Sequence, residues 1–217
     1  MRTRACLLFI VVAAVLLIGL PAAAQILYEN GPINGETDGW TINEGFVVND
    51  SFTISTGSST INGLSFGAWL TQGDVLQSVE VYLASEPFGG TVYFNGQVNV
   101  TQSNCFVNNY GYDVCTETAS FGGPTLPNGT YWLSLLNATV SNGDPVYWDE
   151  NQGVGCHSEG CPSQACEGGC IGSIPSEAFS ILGSGSGTGS VPEPGSLALV
   201  GAGCFAIIET LRRRRYL

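Results

Sequence analysis

The chain has 217 residues and a formal net charge of −12, yet its six basic residues are all arginines in the two tails: Arg2, Arg4, Arg212, Arg213, Arg214 and Arg215. Residues 25–191 carry 16 of the 18 acidic residues and no lysine or arginine, which excludes phosphate neutralisation, and with it nucleic-acid binding, as well as attraction to anionic lipid. Thirty glycines and a charged fraction of only 11% argue against helical bundles and for a turn-rich all-β domain.

Residues 1–24 read as a secretory signal. Arg2 and Arg4 form a basic start, residues 6–20 an apolar run, and Pro21-Ala22-Ala23-Ala24 a small-residue site with the cut expected after Ala24. A retained anchor is the alternative, but the small residues follow the apolar run directly. Arg2 and Arg4 are not adjacent, which argues against a twin-arginine route.

Residues 25–183 are expected to form one exported domain. Leu64, Phe66, Ala68 and Leu70 alternate with Ser65, Gly67 and Trp69, the pattern of a half-buried strand. Similar runs predict strands at 46–54, 75–83, 91–100, 110–121, 131–136 and 178–182. Asn62-Gly63, Gly89-Gly90, Asn95-Gly96, Asn128-Gly129 and Asn142-Gly143 are read as turns between them. This spacing, with no helical stretch and no internal repeat, predicts an antiparallel β-sandwich of jelly-roll type, flanked by an N-terminal signal helix and a C-terminal membrane helix.

Six cysteines lie between the two terminal segments: Cys105, Cys115, Cys156, Cys161, Cys166 and Cys170. In an exported chain an even number reads as disulfides. Cys105 and Cys115 flank a hairpin turn at Asn108-Asn109 and are the first pair expected. The other four fall in a glycine-rich loop with little apolar content, where crosslinks would supply the order that a core cannot. Cys156, His157, Cys161, Cys166 and Cys170 are also zinc-type ligands, but their spacing matches none of the common zinc patterns, so no metal is expected there.

Catalytic constellations are scarce. His157 is the single histidine, set among cysteines without a partner at a fixed position for a Ser-His-Asp or Cys-His arrangement. A pair of carboxylates is the remaining option, with Asp149 and Glu150, or Glu80 and Glu86, as candidates. Neighbours on a strand point to opposite faces, so Asp149 and Glu150 are not expected to share a cleft. The acids read more simply as a solvated surface, and neither an enzyme activity, a catalytic residue nor a cofactor is expected. Binding is the more natural role. Within 141–151, Tyr147, Trp148 and Asp149 combine aromatic faces with oxygen acceptors, as a glycan-binding surface requires. The plainer reading makes Tyr147 and Trp148 core residues of a strand, like Trp69 and Trp132. The same acids suit Ca²⁺ in type, although the spacing forms neither an EF-hand loop nor a Ca²⁺-binding repeat. Asn49, Asn99, Asn128 and Asn137 begin glycosylation sequons, which chance explains in so Asn- and Thr-rich a chain.

Residues 184–190 alternate glycine with serine and threonine and read as a flexible tether. Residues 191–217 follow with Val191-Pro192-Glu193-Pro194, an apolar run at 197–208, and Arg212 to Arg215. The run is shorter than the roughly 20 residues of a full span. The arginines fix its orientation, because positive flanks stay cytoplasmic and the preceding chain then lies outside. Glu209, one turn before the arginines, is placed to pair with one of them.

The order Val-Pro-Glu-Pro, short helix, basic tail resembles the PEP-CTERM sorting signal of exported bacterial proteins. The resemblance implies that Pro192, Glu193 and Pro194 are the recognition element for an exosortase-type membrane protease and that Arg212 to Arg215 are the cytoplasmic stop. It also implies a destination in the cell envelope or extracellular matrix, in bacteria that often make exopolysaccharide. Residues 27–32, 67–70 and 144–151 resemble segments of other exported proteins with the same terminal signal, a likeness that brings no activity with it. The expected function is therefore structural or adhesive, with a carbohydrate-binding module as the alternative and a glycoside-acting enzyme behind it.

Overall fold

The computed structural model describes residues 24–55, 57–151, 163–166 and 170–185, and of 163–166 and 170–173 only the backbone. Among these residues every regular element is a strand: β1 Gln25–Glu29, β2 Gly39–Thr41, β3 Val47–Ile54, β4 Ser59–Leu70, β5 Leu76–Glu86, β6 Gly89–Val107, β7 Asp113–Ser120, β8 Thr125–Leu126, β9 Gly129–Val140, β10 Tyr147–Asp149, β11 Ser163–Cys166, β12 Cys170–Ile174 and β13 Phe179–Gly185. The segment before Ala24 and the sorting segment 191–217, with Val191, Pro192, Glu193, Pro194 and Arg212 to Arg215, lie outside the described residues, as do Cys156 and Cys161. No helix among the described residues is long and apolar enough to cross a membrane.

All strand pairs are antiparallel and join into one curled sheet in the order β1-β13-β4-β7-β6-β5-β9-β3-β11-β12. The curl is carried by β6. Its first part pairs with β5 as far as Asn99, and from Val100 onward it pairs with β7. One long strand thus belongs to both halves of the sheet, and the halves enclose a single core, as in a sandwich.

The alternation expected at β4 is what fills that core. Leu64, Phe66, Ala68 and Leu70 are fully buried and pack with Val79, Val81 and Leu83 of β5, Leu133 and Leu135 of β9, and Phe179 and Ile181 of β13. At the far end of the curl Tyr28 closes on Phe52 and Phe179, with ring centres 6.2 and 5.7 Å apart. Trp132, expected in the core, instead lies half-buried on the opposite face of β9.

Several dipeptides read as turns lie inside strands. Asn62-Gly63 is in β4 and Asn95-Gly96 in β6, each opposite residues of neighbouring strands. At Gly63 the neighbouring backbone explains the residue: a Cβ would meet the Ala119 carbonyl oxygen at 2.5 Å. The glycine serves close strand approach, not chain reversal. The hairpin near Gly89-Gly90 turns two residues earlier, at Pro87-Phe88. The strand expected at 110–121 starts only at Asp113, because residues 108–112 form a turn. The stretch read as a tether begins later than expected, since Ser184 and Gly185 pair with Thr60 and Ser59.

β7 turns Cys115, Glu117 and Ala119 toward the core. Glu117 is fully buried and neither carboxyl oxygen has a hydrogen-bond partner among the described residues. Burial pushes its carboxyl up to about 8, so the folded protein keeps it protonated at neutral pH. Because the folded value is raised, the contribution of Glu117 to stability is complete below the ordinary carboxyl range and is lost as pH rises toward about 8. Replacing Glu117 with Gln is therefore expected to flatten the loss of stability between acid and mildly alkaline pH, by up to about 1.4 kcal/mol per pH unit in urea unfolding. Equal slopes for the two proteins would show that Glu117 titrates normally.

Candidate functional site

β10 lies between β2 and β4, with Tyr147 opposite Thr41 and Trp69, and Trp148 opposite Trp40 and Ala68. Strand alternation sends Trp148 inward and its two neighbours outward. The Trp148 indole is fully buried, meets Phe66 and Phe179 edge-on, and donates its N–H to the Ala178 carbonyl at 3.1 Å. Trp148 is therefore core, as the plainer reading of the sequence held.

Asp149 points to the other face of the sheet but is covered there. Its Oδ1 accepts the Trp69 indole N–H at 2.6 Å and the Gly35 N–H at 3.1 Å, and its Oδ2 accepts the Asn34 N–H at 2.9 Å. Gly67 makes room for this cap: a Cβ there would meet Asp149 Cβ at 2.7 Å and Ile33 Cγ2 at 2.8 Å. Burial raises the Asp149 carboxyl above its usual range even though the three hydrogen bonds pull it down. Glu150 accepts the Trp40 indole N–H at 2.7 Å on Oε2, and burial raises it as well. The two acids thus bind different partners and share no cleft. Glu80 and Glu86 lie on β5, Glu80 accepting from Asn137 at 2.7 Å and Glu86 exposed at the hairpin.

Of the three residues expected to touch a glycan, Tyr147 alone reaches the surface. It lines an open cleft of about 330 Å³ with Thr37, Asp38, Gly39, Trp69, Tyr110 and Tyr112. Tyr110 stacks on Trp69 with ring centres 5.5 Å apart and planes 22° apart, and it is 60% exposed. Tyr112 stands 5.9 Å from Trp69 and meets Tyr147 edge-on at 5.5 Å. Burial raises the Tyr147 hydroxyl above its ordinary range, helped by a hydrogen bond with Tyr112 and the charges of Tyr112 and Glu44.

The tyrosine-bearing turn is built locally. Asn108 Oδ1 accepts from the backbone N–H groups of Tyr110 and Tyr112, both at 3.0 Å, and Gly111 takes φ +87°. An Asn that binds the backbone ahead of it and a glycine at positive φ are what such a turn needs. Below it a bulge between Ser103 and Phe106 brings Cys105 to Cys115, and the two form a disulfide with S–S 2.05 Å, the pair expected from sequence. Cys166 and Cys170 are register partners in β11 and β12.

Sequence reasoning missed Trp69, Tyr110, Tyr112 and Asp38 as site residues. The signal was present in Asn108-Asn109-Tyr110-Gly111-Tyr112, where two tyrosines flank a glycine in a turn and so cannot both be core. No group of three or more His, Cys, Asp and Glu side chains among the described residues is placed to hold a metal ion. Asn49 is fully buried, which removes its sequon from reach of a modifying enzyme. No protein-family model, curated protein or solved structure matches this chain.

Asp149 is the joint that holds Trp69 and the 34–35 loop together. Replacing Asp149 with Ala leaves the buried N–H groups of Trp69 and Gly35 and the half-buried one of Asn34 without an acceptor and is expected to lower stability by about 3 kcal/mol. It should also red-shift tryptophan emission as Trp69 becomes wetter. An unchanged unfolding midpoint would remove Asp149 from this role.

Proposed function

We propose that this chain is an exported protein of the cell envelope or extracellular matrix whose domain adheres to saccharides through the aromatic cleft. The single observation that carries the reading is the exposed Tyr110, stacked on a Trp69 that Asp149 holds rigid, with Tyr112 and Tyr147 as walls. Flat aromatic faces cover the apolar faces of sugar rings, and rigid rings lose little entropy on binding. Jelly-roll sandwiches, the finer architecture we assign to the curled sheet, host lectin domains elsewhere. That likeness of fold supports the reading only by analogy.

Export and sorting rest on the terminal segments. In this reading residues 1–24 are removed, Val191, Pro192, Glu193 and Pro194 present the chain to an exosortase-type membrane protease, and Arg212 to Arg215 hold the tail in the cytoplasm while the membrane helix anchors the protein. The domain then works outside the cell against exopolysaccharide or other glycans, in an adhesive or structural role without catalysis. A glycan array probed with the purified chain, and with Tyr110→Ala and Tyr147→Ala variants, tests the cleft. Binding to a defined set of oligosaccharides is expected, weakened about three- to tenfold by each substitution. Absence of binding, or binding that neither substitution alters, would remove the cleft from the function.

A further inference from the structure

The cleft is acidic as well as aromatic. Asp38 lines it, is exposed, and has its carboxyl engaged among the described residues by one hydrogen bond, from the Gly39 N–H to Oδ1 at 2.8 Å. Glu36 stands two residues earlier on the same capping loop, and Glu44 lies near enough to Tyr147 for its charge to act on that hydroxyl. The described residues hold no lysine, arginine or histidine to oppose these charges. A uronic acid or a sulfated sugar entering this cleft meets carboxylates and no cation. A neutral hexose uses the rings and offers the Asp38 carboxylate only uncharged hydroxyl donors. A sugar bearing a protonated amine uses both, since an ammonium is attracted to aromatic faces and to a carboxylate at the rim.

We infer that the cleft selects amino sugars in their free-amine form, with Asp38 taking the ammonium and the rings of Tyr110, Tyr112 and Tyr147 flanking the sugar. This rests on the reading of the cleft as a saccharide site and adds the chemical class of the ligand. Charge complementarity commits the site to a cationic glycan such as a deacetylated polymer of glucosamine. N-acetylation removes the charge, so the acetylated polymer competes only as a neutral glycan does. Simple quaternary ammonium compounds share the cation but lack the ring to be covered.

The test uses the full purified chain in detergent micelles at about pH 6, titrated by fluorescence with tetramers of glucosamine, N-acetylglucosamine and glucose, and with tetramethylammonium chloride. The glucosamine tetramer is expected to bind about tenfold more tightly than the glucose tetramer in low salt. That ratio should fall toward one at about 300 mM salt, where exposed charges are screened, and also in Asp38→Asn. Equal affinities for the three tetramers, or a ratio that Asp38→Asn leaves unchanged, would overturn the amino-sugar assignment while the saccharide reading stands. Binding of tetramethylammonium alone would overturn both, leaving an ammonium site without saccharide recognition. No binding of any probe would likewise overturn both.

Discussion

A domain that buries carboxylates without owning a lysine or arginine must satisfy each of them in another way, and its architecture follows from how it does so. An unpaired charge in a protein interior costs many kcal/mol, and the ordinary remedy, an ion pair with lysine or arginine, is closed within residues 25–191. Two remedies remain. The first is to surround the carboxylate with N–H and O–H donors, each hydrogen bond to a charged group contributing about 1.5–3 kcal/mol. Asp50 accepts from the Ser51 N–H, the Asn30 amide, the Ser176 hydroxyl and the Glu177 N–H, all at 2.6–2.9 Å. Asp149 accepts from Trp69, Asn34 and Gly35. The second is to keep the proton. Glu117 is held up to about 8 by burial, and the carboxyl of Glu177, fully buried and with neither oxygen hydrogen-bonded among the described residues, is raised well above the usual range by burial and by the charges of Asp50, Glu150, Asp149 and Asp38.

The first remedy is also what joins distant pieces of chain. Asp50 sits on β3, while three of its donors come from the residue after β1 and from the approach to β13, so one carboxyl group ties β3 to the β1–β13 end of the curled sheet near the Tyr28, Phe52 and Phe179 rings. Asp149 works in the same manner on the outer face, where it fixes a loop with no strand of its own and orients Trp69. The cleft is thus a by-product of charge management: the loop that satisfies a buried acid also supplies Asp38, and the indole that satisfies it becomes the floor on which Tyr110 stacks. A surface that gains its rigidity from buried hydrogen bonds needs little reorganisation to accept a flat ligand.

Much of the fold was legible in the sequence because a strand with one buried face writes its period into the chain. β3, β4, β5, β7, β9 and β13 were all anticipated, with ends displaced by a few residues. Glycine was the main source of error. Asn62-Gly63 and Asn95-Gly96 have the composition of turns, but in β4 the glycine allows a neighbouring strand to pass closely, and composition does not distinguish the two uses. The short strands β2 and β10 carry too few residues to show a period. They exist because the core receives Trp148 and the outer face receives Asp149. For the site, one reading of the sequence put Tyr147, Trp148 and Asp149 on one surface and the plainer one put Tyr147 and Trp148 in the core, whereas alternation at β10 divides the three between cleft wall, core and capped acid. The other walls come from residues 69 and 110–112, which only tertiary pairing brings beside Tyr147.

The claim that protonation replaces ion pairing is tested most directly by following the side-chain carboxyl carbons of Glu117 and Glu177 by NMR as pH is raised. The account predicts that both remain in the protonated state well above pH 4.3, roughly the value of a glutamate in a model peptide. Glu117 is then expected to change state only near pH 8. Carboxyl signals that both shift together with those of the exposed glutamates would contradict it.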